Sequence, residues 1–152
     1  MIKNKIGANQ QELVNNSVQH LEYAFTDGFS KLLNPKSRKI AVLRGNGQLE
    51  NKYVADFVTA LRDYYFIAPF TLDSVVKTPI QTLKHLKKYD LAIIAKPTEK
   101  FSEQEKFTLD QFIMNGGKSL WMIDNVQAEL DSMQQTGETL AYPRDLNLTD
   151  FF

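Results

Sequence analysis

The sequence contains no cysteine and only two histidines, His20 and His85. The absence of cysteine excludes a disulfide framework, a thiolate zinc site and a cysteine nucleophile. Two histidines are too few for a His-rich metal site, and a Ser-His-Asp triad would have to use one of them. Neither lies at the end of a predicted strand, where we would look for a general base. We therefore predict that the chain is not an enzyme and binds no metal or cofactor.

The chain also lacks an excess of charge and a long hydrophobic run. Its 18 basic and 18 acidic residues cancel. Nucleic-acid-binding domains usually carry a basic excess, so we expect no nucleic-acid partner. No stretch approaches the ~18 consecutive apolar residues of a membrane span. Residues 1–5 are not followed by the apolar run of a signal peptide.

What the sequence does have is the composition of a globular domain. Its 152 residues, 43% of them hydrophobic and 24% charged, are enough to bury a core without disulfides. Residues 147–152 have the pattern of the start of a further secondary-structure element. They end in two phenylalanines that we expect to be exposed. Because a natural terminus is rarely so apolar, we expect a fragment truncated at its C-terminal end. Any membrane segment would then lie outside it.

The first 35 residues predict one long amphipathic helix. Apolar residues recur at spacings of three and four over about residues 10–33, which places them on one stripe of a helix. Asn34 and Pro35 end it. We expect this helix to pack on the rest of the chain, since a coiled-coil seam would need more heptads. The stripe consists of Val14, Val18, Leu21, Phe25, Phe29 and Leu32.

Residues 36–152 alternate between short apolar runs and helical patterns. The predicted strands are 40–43, 65–70, 91–95 and 119–123. The predicted helices are about 51–64, a short one that starts at Thr78-Pro79, one from the Ser102/Glu105 capping box to Gly116, and about 126–134. Such alternation predicts an α/β fold with a parallel sheet between helices, in strand order 2-1-3-4. This is a flavodoxin-like or amidotransferase-like three-layer sandwich.

Ligands of such folds bind outside the carboxyl ends of the strands. There we identify seven candidate ligand- or partner-binding residues: Arg44, Gly45, Asn46, Gly47, Lys96, Pro97 and Asp124. The segment after the first strand is neither GxGxxG nor a P-loop, so we favour a plain turn there. Asp124 follows the Lys-Pro pair instead of preceding it, which excludes a response-regulator receiver. We favour Asp124 as the cap of the next helix.

Several stretches together resemble the GldG family, gliding-motility ABC-transporter auxiliary proteins of Bacteroidetes. They are IAVLRGNG (40–47), ADF (55–57), YYFIAPFTLDS (64–74), YDLAIIAKPT (89–98), FIMNGGK (112–118) and PRDLNL (143–148). No single motif is diagnostic, but their order and length make the resemblance specific.

The resemblance implies a non-catalytic, substrate-binding-like auxiliary component that works with the permease and ATPase subunits of an ABC transporter or with other envelope motility proteins. It implies a location on the periplasmic side of the inner membrane, tethered by transmembrane segments that this chain does not include. The domain is then similar to amidotransferase-like folds without catalysis. A second hypothesis stays open, in which the strand-end crevice binds a small anion or sugar and Arg44 and Lys96 hold the anion.

Overall fold

The computed structural model describes residues 9–128 and 140–152. The chain divides into two units, Met1–Lys36 and Ser37–Phe152. The following paragraphs describe each unit by itself.

The first unit contains two successive helices, α1 (Gln10–Gln19) and α2 (Leu21–Leu33). A capping box opens α1, because Asn9 Oδ1 accepts the Glu12 N–H at 2.8 Å and Glu12 accepts the Asn9 N–H at 3.2 Å,. His20 interrupts the helix for one residue, with its backbone still in the right-handed helical region. The long N-terminal helix predicted over residues 10–33 is therefore confirmed, with one interruption.

The second unit is built on a four-stranded parallel sheet in the order β2-β1-β3-β4. Its strands are β1 (Lys39–Arg44), β2 (Phe66–Thr71), β3 (Leu91–Ala95) and β4 (Lys118–Met122). Its helices are α3 (Asn51–Arg62), α4 (Pro79–Leu86) and α5 (Glu103–Met114). The predicted α/β fold and strand order are confirmed, and the element boundaries agree within about two residues.

The two faces of the sheet carry different layers. On the face that meets α4 and α5, Ala41 lies beside Ala92, and Ile94 lies beside Trp121. Val42 and Ile67 lie on the opposite face, against Val54 of α3. The main core therefore lies between the sheet and α4 and α5. Its buried members are Ala41, Leu43, Leu72, Leu86, Ala92, Ile94, Phe101, Leu109, Phe112, Leu146 and Leu148.

The segment after β4 corrects one sequence prediction. Val126–Gln127 forms a short strand, β5, which pairs antiparallel with Tyr142–Pro143, β6. The Arg144 N–H extends this ladder to the Asn125 carbonyl at 2.7 Å. The helix predicted from 126 is wrong at its start, because Val126 is held in an extended conformation by a partner distant in sequence. The rest of that prediction, with Leu130 and Met133, lies outside the described residues.

The last residues of the chain pack onto the core. Leu146 and Leu148 are buried, and the Phe101 N–H donates to the Leu146 carbonyl at 3.1 Å. The Phe151 ring lies 5.4 Å from that of Trp121, between centroids. Phe152 is exposed as predicted, but Phe151 is half-buried against the core. The expectation of two exposed phenylalanines was wrong for Phe151, because its position depends on Trp121, thirty residues earlier.

Ion pairs hold this C-terminal segment to the start of α5. The Lys106 side chain is only 6% exposed, and its ammonium lies 2.8 Å from Asp150 and 2.9 Å from Glu103. Its hydrogen bonds lower the pKa of both carboxyl groups, with the Asn147 amide adding to the effect at Glu103. A hydrogen bond from Lys100 likewise lowers the pKa of Asp145.

Acid is expected to release this segment before the rest of the fold. A carboxyl group whose pKa is lowered by folding contributes stability above its unfolded pKa, about 4, and that contribution is lost as the pH falls through the folded pKa. We expect the fluorescence of Trp121, the single tryptophan, to change below about pH 4 as Phe151 and Phe152 move away. Asp150→Asn should reduce the pH dependence of unfolding, whereas Asp56→Asn on the exposed surface of α3 should not. Identical pH profiles for the two variants would contradict the assignment to Asp150.

Candidate functional site

The loops after β1 and β3 are hydrogen-bonded to each other at the carboxyl edge of the sheet. The Asn46 carbonyl accepts the N–H groups of Thr98 and Glu99 at 3.0 and 3.1 Å. The Thr98 hydroxyl donates to the Gly47 carbonyl at 2.9 Å. The Leu49 N–H donates back to the Ala95 carbonyl at 3.1 Å. These bonds join the two loops at the place where the second hypothesis puts the strand-end crevice.

The two glycines of the β1 loop are required by backbone conformation and space. Gly45 and Gly47 have φ angles of +120° and +63°, which favour glycine,. A Cβ on Gly47 would lie 2.0 Å from the Thr98 hydroxyl oxygen, and one on Gly45 would lie 2.7 Å from an Asp73 carboxylate oxygen. The Gly-x-Gly spacing is therefore explained by a tight turn and a close loop contact, without a bound phosphate.

Asn46 is the buried centre of this loop, with 5% of its surface exposed. Its side-chain amide donates to Glu105 Oε1 at 3.2 Å, and its backbone N–H donates to Gln48 Oε1 at 2.9 Å. The other oxygen of Glu105 accepts the N–H and the hydroxyl of Ser102. The predicted capping box is confirmed. Glu105 thus joins the first turn of α5 to the loop after β1.

Arg44 is held by the beginning of α3. One terminal nitrogen of its guanidinium donates to the Leu49 carbonyl, and the other donates to Asn51 Oδ1 at 2.6 Å. These contacts satisfy two of the five guanidinium donors and fix the path of the chain into α3.

Lys96 and Asp124 form a partly exposed ion pair at the site. Lys96 has a φ of +48°, donates its N–H to the Met122 carbonyl at 2.7 Å and places its ammonium 3.2 Å from Asp124. The hydrogen bond from Lys96, together with one from the Val126 N–H, lowers the pKa of Asp124. Asp124 therefore caps the turn into β5, and not the helix that the sequence predicted. Pro97, the residue after Lys96, is buried.

The structure thus brings some of the candidate residues together, whereas others make contacts elsewhere. Asn46, Gly47 and the Lys96–Thr98 segment meet, and Lys96 pairs with Asp124. Arg44 is engaged with α3. Thr98 was not among the seven candidate residues, although it ends the Lys96–Thr98 segment that bounds the predicted crevice. The contact of Glu105 with Asn46 was missed, although the capping box had already marked Glu105. Among the described residues, no group of three or more His, Cys, Asp or Glu side chains could hold a metal ion.

These features define a class of protein: an α/β domain with a flavodoxin-like strand order, whose strand-end loops are fixed by hydrogen bonds. Residues 37–152 match a family model described as ABC-type uncharacterized transport system. The chain belongs to this family and is an auxiliary component of an ABC transport system. The resemblance to ABC-transporter auxiliary proteins is confirmed at that level.

Comparison with curated proteins and with solved structures finds no match. Within residues 9–128 and 140–152, no helix has the length and hydrophobicity to cross a membrane.

Proposed function

We propose that this chain is a non-catalytic binding or scaffold module of an ABC transport system linked to gliding motility, of the GldG type found in Bacteroidetes. Its partners would be the permease and ATPase subunits or other envelope motility proteins. It would lie on the periplasmic side of the inner membrane, tethered by segments outside this chain. Family membership supports the transport role, and the six stretches that resemble GldG support the finer assignment.

We place the docking surface at the hydrogen-bonded loops on the carboxyl edge of the sheet. Because these loops are held in one conformation by Asn46 and Thr98, a partner that contacts them loses little freedom on binding. Lys96 and Asp124 present a pair of opposite charges on this surface, each about two-fifths exposed. Charges at the rim of an interface set orientation and association rate.

A protein partner fits this geometry better than a small anion held by Arg44 and Lys96. Arg44 already donates to Leu49 and Asn51, and Lys96 is already paired with Asp124. An anion between the two cations would compete with these contacts and would lie near the Asp124 carboxylate. We therefore favour the docking role for the carboxyl-edge candidates.

Affinity purification from detergent-solubilised membranes of the source organism tests the proposal. The tagged chain should enrich permease or ATPase subunits over an unrelated α/β domain of similar size. Charge reversal by Lys96→Glu should reduce this enrichment several-fold, because it places two carboxylates together at the docking surface. Lys84→Glu, at an exposed position in the last turn of α4 and away from these loops, is the matched control and should retain the wild-type enrichment. Failure to enrich any transporter or motility protein would argue against a scaffold. Equal enrichment by both variants would mean that the docking surface lies elsewhere.

A further inference from the structure

A second cleft of the unit that contains the sheet opens at the opposite edge of the sheet, away from the loops after β1 and β3. It lies where β1, β3 and β4 begin and has a volume of about 700 Å³. Small-molecule sites usually have volumes of about 300 to 1,000 Å³. Leu61 and Leu91, both half-buried, present apolar surface to it, beside the almost completely buried Ile40 and Phe112.

Three cations stand around this apolar lining. Arg38 precedes β1, Lys87 follows α4, and Lys118 begins β4. All three are exposed, and none of their side chains forms an ion pair or a hydrogen bond with the described residues. The carboxylate in the lining, Asp90, accepts the Lys39 N–H at 2.7 Å. The cleft therefore has an excess of positive charge.

The chain reaches this arrangement in spite of its balanced overall charge. The three cations are far apart in sequence, but the parallel sheet brings the starts of its strands to one edge. Two half-buried tyrosines, Tyr65 and Tyr89, add phenol groups to the lining. Lys87 also lies where a cation complements the dipole of α4. That role accounts neither for Arg38 nor for the apolar lining.

We propose that this cleft binds an amphiphilic anion, with a phosphate or carboxylate head group against Arg38, Lys87 and Lys118 and an apolar body against Leu61 and Leu91. Arginine and lysine are the side chains that bind such head groups, arginine through paired N–H donors. Burial of the apolar body supplies the hydrophobic part of the affinity. The proposal does not rest on the docking function, since it concerns the other edge of the sheet.

Titration calorimetry with octyl phosphate, kept below its micelle concentration, tests the site directly. Octyl phosphate should bind more tightly than inorganic phosphate, which lacks the apolar body, and more tightly than octyl glucoside, which lacks the charge. The double variant Arg38→Gln/Lys118→Gln should bind octyl phosphate about tenfold more weakly or worse, since each lost charge-assisted contact weakens binding severalfold. The charge-conserving variant Arg38→Lys/Lys118→Arg should retain most of the affinity.

Lys77→Gln/Lys84→Gln is the matched control, because it removes two exposed charges that do not line the cleft. It should bind octyl phosphate as the wild type does. No binding of octyl phosphate, or equal affinity in both glutamine double variants, would overturn the proposal. Equal affinity for inorganic phosphate or octyl glucoside would also overturn it.

Co-sedimentation with phosphatidylglycerol vesicles, against phosphatidylcholine vesicles, identifies the source of the head group. If octyl phosphate binds and the chain also sediments with the anionic vesicles, dependent on Arg38 and Lys118, the ligand is a lipid head group. If octyl phosphate binds without sedimentation, the ligand is a soluble amphiphile. Each result supports the cleft as an anion site and separates the two sources.

Discussion

Replacement of Leu146 by alanine is expected to lower the free energy of unfolding by about 2 to 5 kcal/mol, the usual cost of a buried leucine-to-alanine change. Leu146 is 4% exposed and belongs to the core between the sheet and α5. The bond from the Phe101 N–H to its carbonyl holds the backbone in place, so the cavity cannot easily collapse. Urea unfolding, followed by circular dichroism and by Trp121 fluorescence, measures the change.

Leu140→Ala is the matched control for this prediction. The Leu140 side chain is 74% exposed, and a surface change of this kind usually alters stability by less than about 0.5 kcal/mol. The two variants remove the same atoms and differ in burial. If both have the same small effect, the C-terminal segment does not contribute to the core as described.

The strand order could be predicted because each buried strand of a parallel sheet is a short apolar run. Runs such as 40–43 and 91–95 are separated by helical patterns that start and stop at recognisable signals. The Ser102/Glu105 capping box and the Gly116-Gly117 pair bracket α5 in this way. Right-handed crossovers then leave few possible orders for the strands.

The elements that escaped prediction depend on pairs of residues distant in sequence. Val126 resembles the start of a helix in its local sequence, and only its pairing with Pro143 makes it a strand. Phe151 resembles an exposed terminal residue until Trp121 is placed beside it. Local periodicity carries no information about such contacts.

At the candidate site, too, the local sequence pattern predicts the position of the loops but not the contacts between residues distant in sequence. The sequence places the loops after β1, β3 and β4 at one edge because they follow parallel strands. It could not show that Thr98 would bond to Gly47 or that Arg44 would point to α3. The cations of the opposite cleft, Arg38 and Lys118, were not among the candidates, because ligands of such folds are expected at the carboxyl ends of the strands and these residues lie at the starts.

Gly47→Ala is expected to lower the free energy of unfolding by about 2 to 5 kcal/mol, since two costs add. A left-handed backbone costs an L-residue about 1 to 2 kcal/mol, and overpacking costs about 1 to 3 kcal/mol more. The new methyl group would lie 2.0 Å from the Thr98 hydroxyl oxygen. Movement of that hydroxyl would break its bond to the Gly47 carbonyl. Chemical denaturation at neutral pH measures the loss.

Two further variants separate these costs. Gly28→Ala, in α2 with no atom within 4 Å of the new methyl group, should leave stability unchanged or raise it by up to about 1 kcal/mol, because alanine favours the helix. The double variant Gly47→Ala/Thr98→Ala removes the clashing hydroxyl, so its loss should be smaller than the sum of the two single losses. The backbone cost remains. Strict additivity would mean that the loops after β1 and β3 do not touch at this point. A coupling of about 1 kcal/mol or more would establish in solution the contact that joins the two loops.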